Sequence, residues 1–142
     1  MEVLIVTTDE QLEDAYTVRR LVFVAEQQVP EEEEIDQYEQ EADHIVLYDD
    51  KKPVGAARFR VVDGIGKLER ICVLSDYRGN GAGKLLMNKL EEIAQTKGIQ
   101  KLKLNAQTHA EAFYKHFGYD TVSGEFMDAG IPHVTMIKSV EI

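Results

Sequence analysis

Apolar residues recur along this chain with two periods, and the places where one gives way to the other mark out its elements. Residues 2–7 alternate, with Val3 and Ile5 on one face and Leu4 and Val6 on the other, which predicts a first strand. Thr8 with Gln11 resembles a capping box, and Asp9 and Glu10 fall in the acidic first turn that a helix favours. Leu12, Ala15, Tyr16 and Phe23 then keep helical spacing as far as about Gln27. Val29-Pro30 breaks this helix, and Pro30 can open a short second one rich in glutamate. Strands follow at 44–48, 54–62 and 67–73, separated by turns at 49–53 and 63–66. Residues 84–97 read as an amphipathic helix with Leu85, Leu86, Leu90, Ile93 and Ala94 on one side. A strand at 99–106, a short helix at 110–117 and a strand at 119–122 come next. A long loop, 123–131, leads to a last strand over 133–140. The order is mixed α/β in one domain, without internal repeats or a low-complexity linker.

Between the strand at 67–73 and the helix at 84–97 lies Arg78-Gly79-Asn80-Gly81-Ala82-Gly83. Three glycines leave backbone N–H groups uncovered where a helix begins. Those amides and the positive end of the helix dipole make an anion site suited to phosphate. Arg78 can add a charged, forked donor, and Lys84 follows the last glycine. Spacing excludes two familiar loops. A Walker A loop needs glycine at Arg78 and Ser or Thr at Leu85. A dinucleotide fingerprint needs a third glycine at Lys84 or Leu86.

The remaining pattern, Arg-x-x-Gly-x-Gly between strand and helix, resembles the acyl-CoA pyrophosphate loop of the GNAT superfamily of N-acyltransferases. The Phe113-Tyr114-x-x-x-Gly118-Tyr119 ending extends the likeness over roughly 66–122. Arg19, Val22, Phe23, Val24, Glu26, Gln27, Val29, Pro30, Glu34, Ile35, Asp36 and Ala42-Asp43-His44 resemble a narrower YjcF-like and ElaA-like branch of small bacterial acyltransferases. So do Phe126, Gly130-Ile131-Pro132-His133 and Met136. The resemblance implies a twisted, mostly antiparallel sheet flanked by helices and splayed where the pantetheine arm enters. It also implies acetyl transfer from acetyl-CoA to a primary amine, by direct attack with both substrates bound. A non-catalytic acyl-CoA sensor is the alternative.

Composition narrows the partners. With 142 residues, 44% of them apolar, the chain can bury one core. No apolar run approaches the roughly 18 residues of a membrane span. The start, Met1-Glu2, lacks a signal-peptide pattern, and a single cysteine fits a reducing cytoplasm. Net charge is −10, but nine acidic residues lie between Glu26 and Asp43, where there is no Lys or Arg. Without those nine, the 26 acidic residues fall to 17, against 16 basic ones. That balance argues against nucleic acid. Glu31 to Glu34 form either a solvated face or the border of an acceptor site that attracts a cationic amine.

Acyl transfer to an amine needs a base, a stabilised carbonyl oxygen and an acid for the leaving thiolate. By resemblance, Gly79, Asn80, Gly81, Ala82, Gly83 and Lys84 anchor the cofactor with Arg78. The main chain of Ile71, Cys72 and Val73 is expected to pair with pantetheine as an added strand. Asn105 is expected to bond the same arm, and Tyr114 to protonate the departing sulfur. Two residues compete for the base: Glu69, on the strand entering the site, and His133, on the last strand. Glu26 and His44 are placed at the acceptor pocket by branch resemblance alone. Cys72 has no neighbouring histidine to activate it, and the histidines show no metal-ligand spacing. The apolar last strand is compatible with a homodimer.

Overall fold

The computed structural model describes residues 1–140. Eight strands form one sheet: β1 (Glu2–Ile5), β2 (Asp43–Asp49), β3 (Lys52–Val62), β4 (Ile65–Val73), β5 (Lys101–Gln107), β6 (Asp120–Thr121), β7 (Phe126–Asp128) and β8 (Ile131–Ser139). Their spatial order is β1-β2-β3-β4-β5-β8-β6, with β7 also paired to β8. Every pairing is antiparallel except that of β4 with β5.

Helix α3 (Ala82–Thr96) covers one face. Its stripe of Leu86, Met87, Leu90 and Ala94 is fully buried in a cluster that includes Phe59, Leu68, Leu102 and Leu104. Each such side chain contributes roughly 1.5–3 kcal/mol through the apolar area it removes from water. Leu85, expected on this stripe, is 37% exposed instead. It stands about 100° round the helix from Leu86, and Met87 takes the core position on the other side. The opposite sheet face is covered over β2, β3 and β4 by α1 (Asp9–Arg19), which packs Ala15 and Val18 on Val46, Ala56 and Cys72. Thr8 caps α1 by accepting from the Gln11 amide at 3.1 Å, while the Gln11 side chain reaches back to the Thr7 amide at 2.7 Å.

Three departures from the sequence pattern bear on function. The expected single helix to Gln27 changes winding at Arg20, and Arg20–Glu26 is π-helical. The loop expected over 123–131 holds strand β7 and a tight turn at Ala129-Gly130, both with positive φ. Three residues are too few for alternation to show. The last strand, expected over 133–140, runs as β8 from Ile131 to Ser139 and is an inner strand with β5 on one side and β6 and β7 on the other. Short helices α2 (Glu31–Glu34) and α4 (Glu111–His116) complete the fold.

Candidate active site

Two strands that run side by side and then part make the site. β4 pairs with β5 only at Gly66–Leu68 against Leu102–Leu104. Beyond that point the edges diverge. Residues 70–71 of β4 oppose a single residue of β3, because register slips between Glu69↔Arg58 and Cys72↔Ala56. This bulge turns β4 away from β5, and Arg70 sits in it with φ of 56°. A side chain there costs about 1–2 kcal/mol. The Arg70 guanidinium offsets this by donating to the carbonyl oxygens of Glu33 and Glu34 and to Asp36, each at 3.2 Å.

A cavity of about 450 Å³ fills the splay. Ile71, Cys72 and Val73 line one side and Asn105 and Gln107 the other, and Gly83, Phe113 and Tyr114 also line it. Val22, Phe23 and Glu26 of the π-helical segment, with Gln27 at its end, also line it. Gln27 and Gln107 exchange side-chain amide hydrogen bonds of 3.2 and 2.8 Å across the gap. The π-helical winding, invisible to apolar spacing, is what aims Glu26 and Gln27 inward.

At the start of α3, Gly81 adopts φ of 82° as the N-cap, and no side chain caps the helix. The first intrahelical amide bond is Leu85 to Gly81, at 3.2 Å. The N–H groups of Ala82, Gly83 and Lys84 are therefore unsatisfied within the helix and form an anion cradle. Gly79 shares the φ of 82° that only glycine adopts without strain. A Cβ on Gly83 would lie 3.0 Å from Phe113 Cζ, so the loop and α4 are in close contact. Arg78 is not a free donor. Its fork grips Glu26 with two bonds of 2.6 Å, and its Nε donates to the Val73 carbonyl at 2.9 Å.

The candidate catalytic groups differ in their surroundings. Tyr114 is buried against Phe113 and Tyr119, and burial, then the nearby Cys72, pushes its pKa up. No hydrogen bond to another described residue ties its hydroxyl, which keeps its proton across the neutral range. Cys72 is likewise pushed up to about 12 by burial, so it carries no thiolate. Glu69 accepts from Arg60 Nε at 2.7 Å and Arg58 Nε at 3.1 Å. Burial works to raise its pKa, but these two arginines outweigh burial and hold the carboxyl below the ordinary range. A carboxylate so held is a weak proton acceptor. His133 is better disposed. Its Nδ1 lies 2.7 Å from the Ile131 carbonyl, which can only accept, so Nδ1 carries the proton and Nε2 the lone pair. Phe126 stacks on the ring at 6.0 Å. Both His133 and Glu69 line the cavity. Asn105 Oδ1 accepts from Thr135 at 2.9 Å, which leaves its amide N–H₂ to a ligand.

Glu31, Glu32 and Glu33 do form a solvated face, whereas Glu34 is buried and most of the acidic segment is paired with basic residues. Arg19 binds Glu34 at 2.9 Å and Glu39 at 2.6 Å, Arg58 binds Asp36 at 2.8 Å, and Arg60 reaches Glu41 at 3.3 Å. Glu26 is taken by Arg78, Glu31 by Arg20 and Asp43 by Lys97. Seven of the nine carboxylates thus answer a basic residue elsewhere in the chain, and the case for a cationic acceptor loses its charge. His44 does not reach the cavity. It is buried, with Nε2 on the Glu39 carbonyl at 2.8 Å and its ring edge-on to Tyr16.

Comparison with known proteins shows the family. The family model of the acetyltransferase (GNAT) domain matches residues 5–140. This chain belongs to the GNAT acetyltransferase family. It is 55% identical to a Bacillus subtilis relative described as the uncharacterized N-acetyltransferase YjcF, over 97% of this chain and 99% of the relative. The crystal structure of Escherichia coli ElaA superposes with a TM-score of 0.85 at 26% identity, over 97% of this chain and 99% of that one. An aminoglycoside 6′-N-acetyltransferase complexed with coenzyme A shares the fold at 17% identity and a TM-score of 0.79, over 100% and 98% of the two chains.

Proposed function

We propose that this chain transfers an acetyl group from acetyl-CoA directly to a primary amine, both substrates lying in the cavity between β4 and β5. The observation that carries the reading is the parting of these strands beside the uncapped start of α3. The diphosphate of acetyl-CoA binds the amides of Ala82, Gly83 and Lys84, and Gly79, Asn80 and Gly81 shape that turn. Pantetheine pairs with the open edge of β4 at Ile71, Cys72 and Val73 and accepts the free Asn105 amide. Arg78 joins the diphosphate by exchanging Glu26 for it.

His133 Nε2 takes a proton from the amine, whose lone pair attacks the thioester carbonyl. The new C–N bond forms as the carbonyl oxygen takes on negative charge, which backbone N–H groups of β4 stabilise. Collapse breaks the C–S bond, and Tyr114 gives its proton to the departing sulfur. Glu69 acts on this path by fixing Arg58 and Arg60.

Isothermal calorimetry with CoA, followed by thiol release from acetyl-CoA over a set of amines, tests the reading. Binding and amine-dependent thiol release are expected. CoA binding with no release for any amine would leave an acyl-CoA sensor, and absence of binding would end the proposal.

A further inference from the structure

Four basic residues line the cavity, and they are not equivalent. Arg70 is paired with Glu34 and Asp36, and Arg78 with Glu26. Lys67 and Lys103 have no ion pair among the described residues, and both are half-buried in the cavity wall. They are register partners on the parallel strands β4 and β5, at the closed end of the splay. Neighbouring strands lie about 4.8 Å apart, so the two side chains rise side by side from one sheet face. Like charges so placed cost stability unless an anion lies between them.

Among the described residues no carboxylate pairs with either lysine. Glu69, two residues along the same face from Lys67, is held by Arg58 and Arg60. Asp128 is the remaining cavity carboxylate without an ion pair among the described residues, and it belongs to β7, in the hairpin that carries His133. The free charges are thus sorted: two lysines at the closed end, one aspartate near the proposed base.

We propose that Lys67 and Lys103 form an anion subsite, and that the acceptor is an amine bearing a carboxylate or phosphate group that docks there. This rests on the acetyl-transfer reading for the fate of the amine, but the subsite has its own readout. Lys103 lies four residues from Gln107, the register partner of His133, about 13 Å along β5. That spacing favours acceptors whose acid and amine ends are several bonds apart.

The test has two arms on the full chain. Thiol release from acetyl-CoA is measured with matched amines: 6-aminohexanoate against hexylamine, and 6-aminohexyl phosphate against 6-aminohexanol. The acidic member of at least one pair is expected to show a kcat/KM about tenfold higher or more, and which pair does so separates carboxylate from phosphate. In the double variant Lys67→Gln, Lys103→Gln that preference disappears, mainly through KM, while CoA calorimetry is unchanged and vouches for the fold. Preference for neutral amines, or a preference that survives the double variant, overturns the proposal. The second arm titrates glutarate and inorganic phosphate into CoA-saturated protein, expecting binding that weakens about tenfold or more in the double variant. If no amine reacts but this binding is present and lysine-dependent, acetyl transfer falls and the anion subsite stands. If neither anion binds, the subsite falls whatever the turnover.

Discussion

Tyr114 and His133 owe their proposed roles to what each is denied or given by its neighbours. The Tyr114 hydroxyl has no described partner, so Tyr114→Phe removes nothing the fold uses. Its melting temperature is expected to match the parent, while kcat falls about 100-fold with KM little changed. His133→Asn retains a donor for the Ile131 carbonyl and loses the basic nitrogen, so it should lower kcat by a similar factor. Steady-state thiol release beside thermal melts checks both, and normal turnover in either variant removes that residue's role. Glu39 shows charge acting on stability. Burial opposes its ionisation, but Arg19, the Asp36 amide and Arg58 prevail and bring its pKa from an ordinary 4.5 to about 2. Its contribution, roughly 3 kcal/mol, is complete above pH 4.5 and lost as pH falls toward 2. His44 acts earlier: burial lowers its pKa from 6.5, so the unfolded chain gains the proton first and stability declines below that pH. Melting temperature should therefore fall in two stages on acidification. Glu39→Gln is expected to flatten the lower stage, and an unaltered profile would refute the assignment.

β4 joins core to site through alternation. Gly66 and Leu68 face α3, while Lys67 and Glu69 face the other way, until the bulge at Arg70 ends the pairing with β5. Gly66 is needed because Phe59 and Leu102 fill the space beside it. A Cβ there would lie 2.8 Å from Phe59 Cζ and 2.9 Å from Leu102 Cδ2. Gly66→Ala is expected to cost about 1–3 kcal/mol by overpacking, read as a lower urea midpoint at constant m-value. Gly81→Ala probes the other end of the splay. It forces a side chain to φ of 82°, where nothing crowds a Cβ, so its strain is confined to about 1–2 kcal/mol. CoA affinity should fall in calorimetry, because relaxing that turn moves the Ala82–Lys84 amides. Unchanged affinity would place the diphosphate elsewhere.

The two parts of the sheet meet in β4–β5 hydrogen bonding over only three residue pairs, in the packing of α3 beneath, and in the Gln27–Gln107 bridge. A ligand that fills the gap as an added strand ties β4 to β5 along its length. CoA at about 100 times its dissociation constant should stabilise the fold by roughly 2.7 kcal/mol. Hydrogen exchange should slow at 71–73 and 105–107 more than in β2. Protection confined to the exposed loop would contradict strand-like binding. The charged residues show the same long-range logic: the acidic run of 26–43 reads as a surface feature until the fold brings Arg19, Arg58, Arg60 and Arg70 to it from α1, β3 and β4.

Alternation at 2–7, 44–48, 54–62 and 67–73, the caesura of Arg78 to Gly83 and the stripe of α3 were legible because they depend on near neighbours in the chain. The uncapped helix start was legible for the same reason, since three glycines and the first turn of α3 lie within six residues. Local spacing could not reveal the π-helical turn, strand β7 or the exposure of Leu85. Nor could it rank Glu69 against His133, because that depends on Arg58 and Arg60 reaching one carboxylate and the Ile131 carbonyl fixing one imidazole tautomer. Contacts between residues far apart in the chain decide which charges are free. Here tertiary packing neutralised most of the acidic segment and left Lys67 and Lys103 without partners among the described residues.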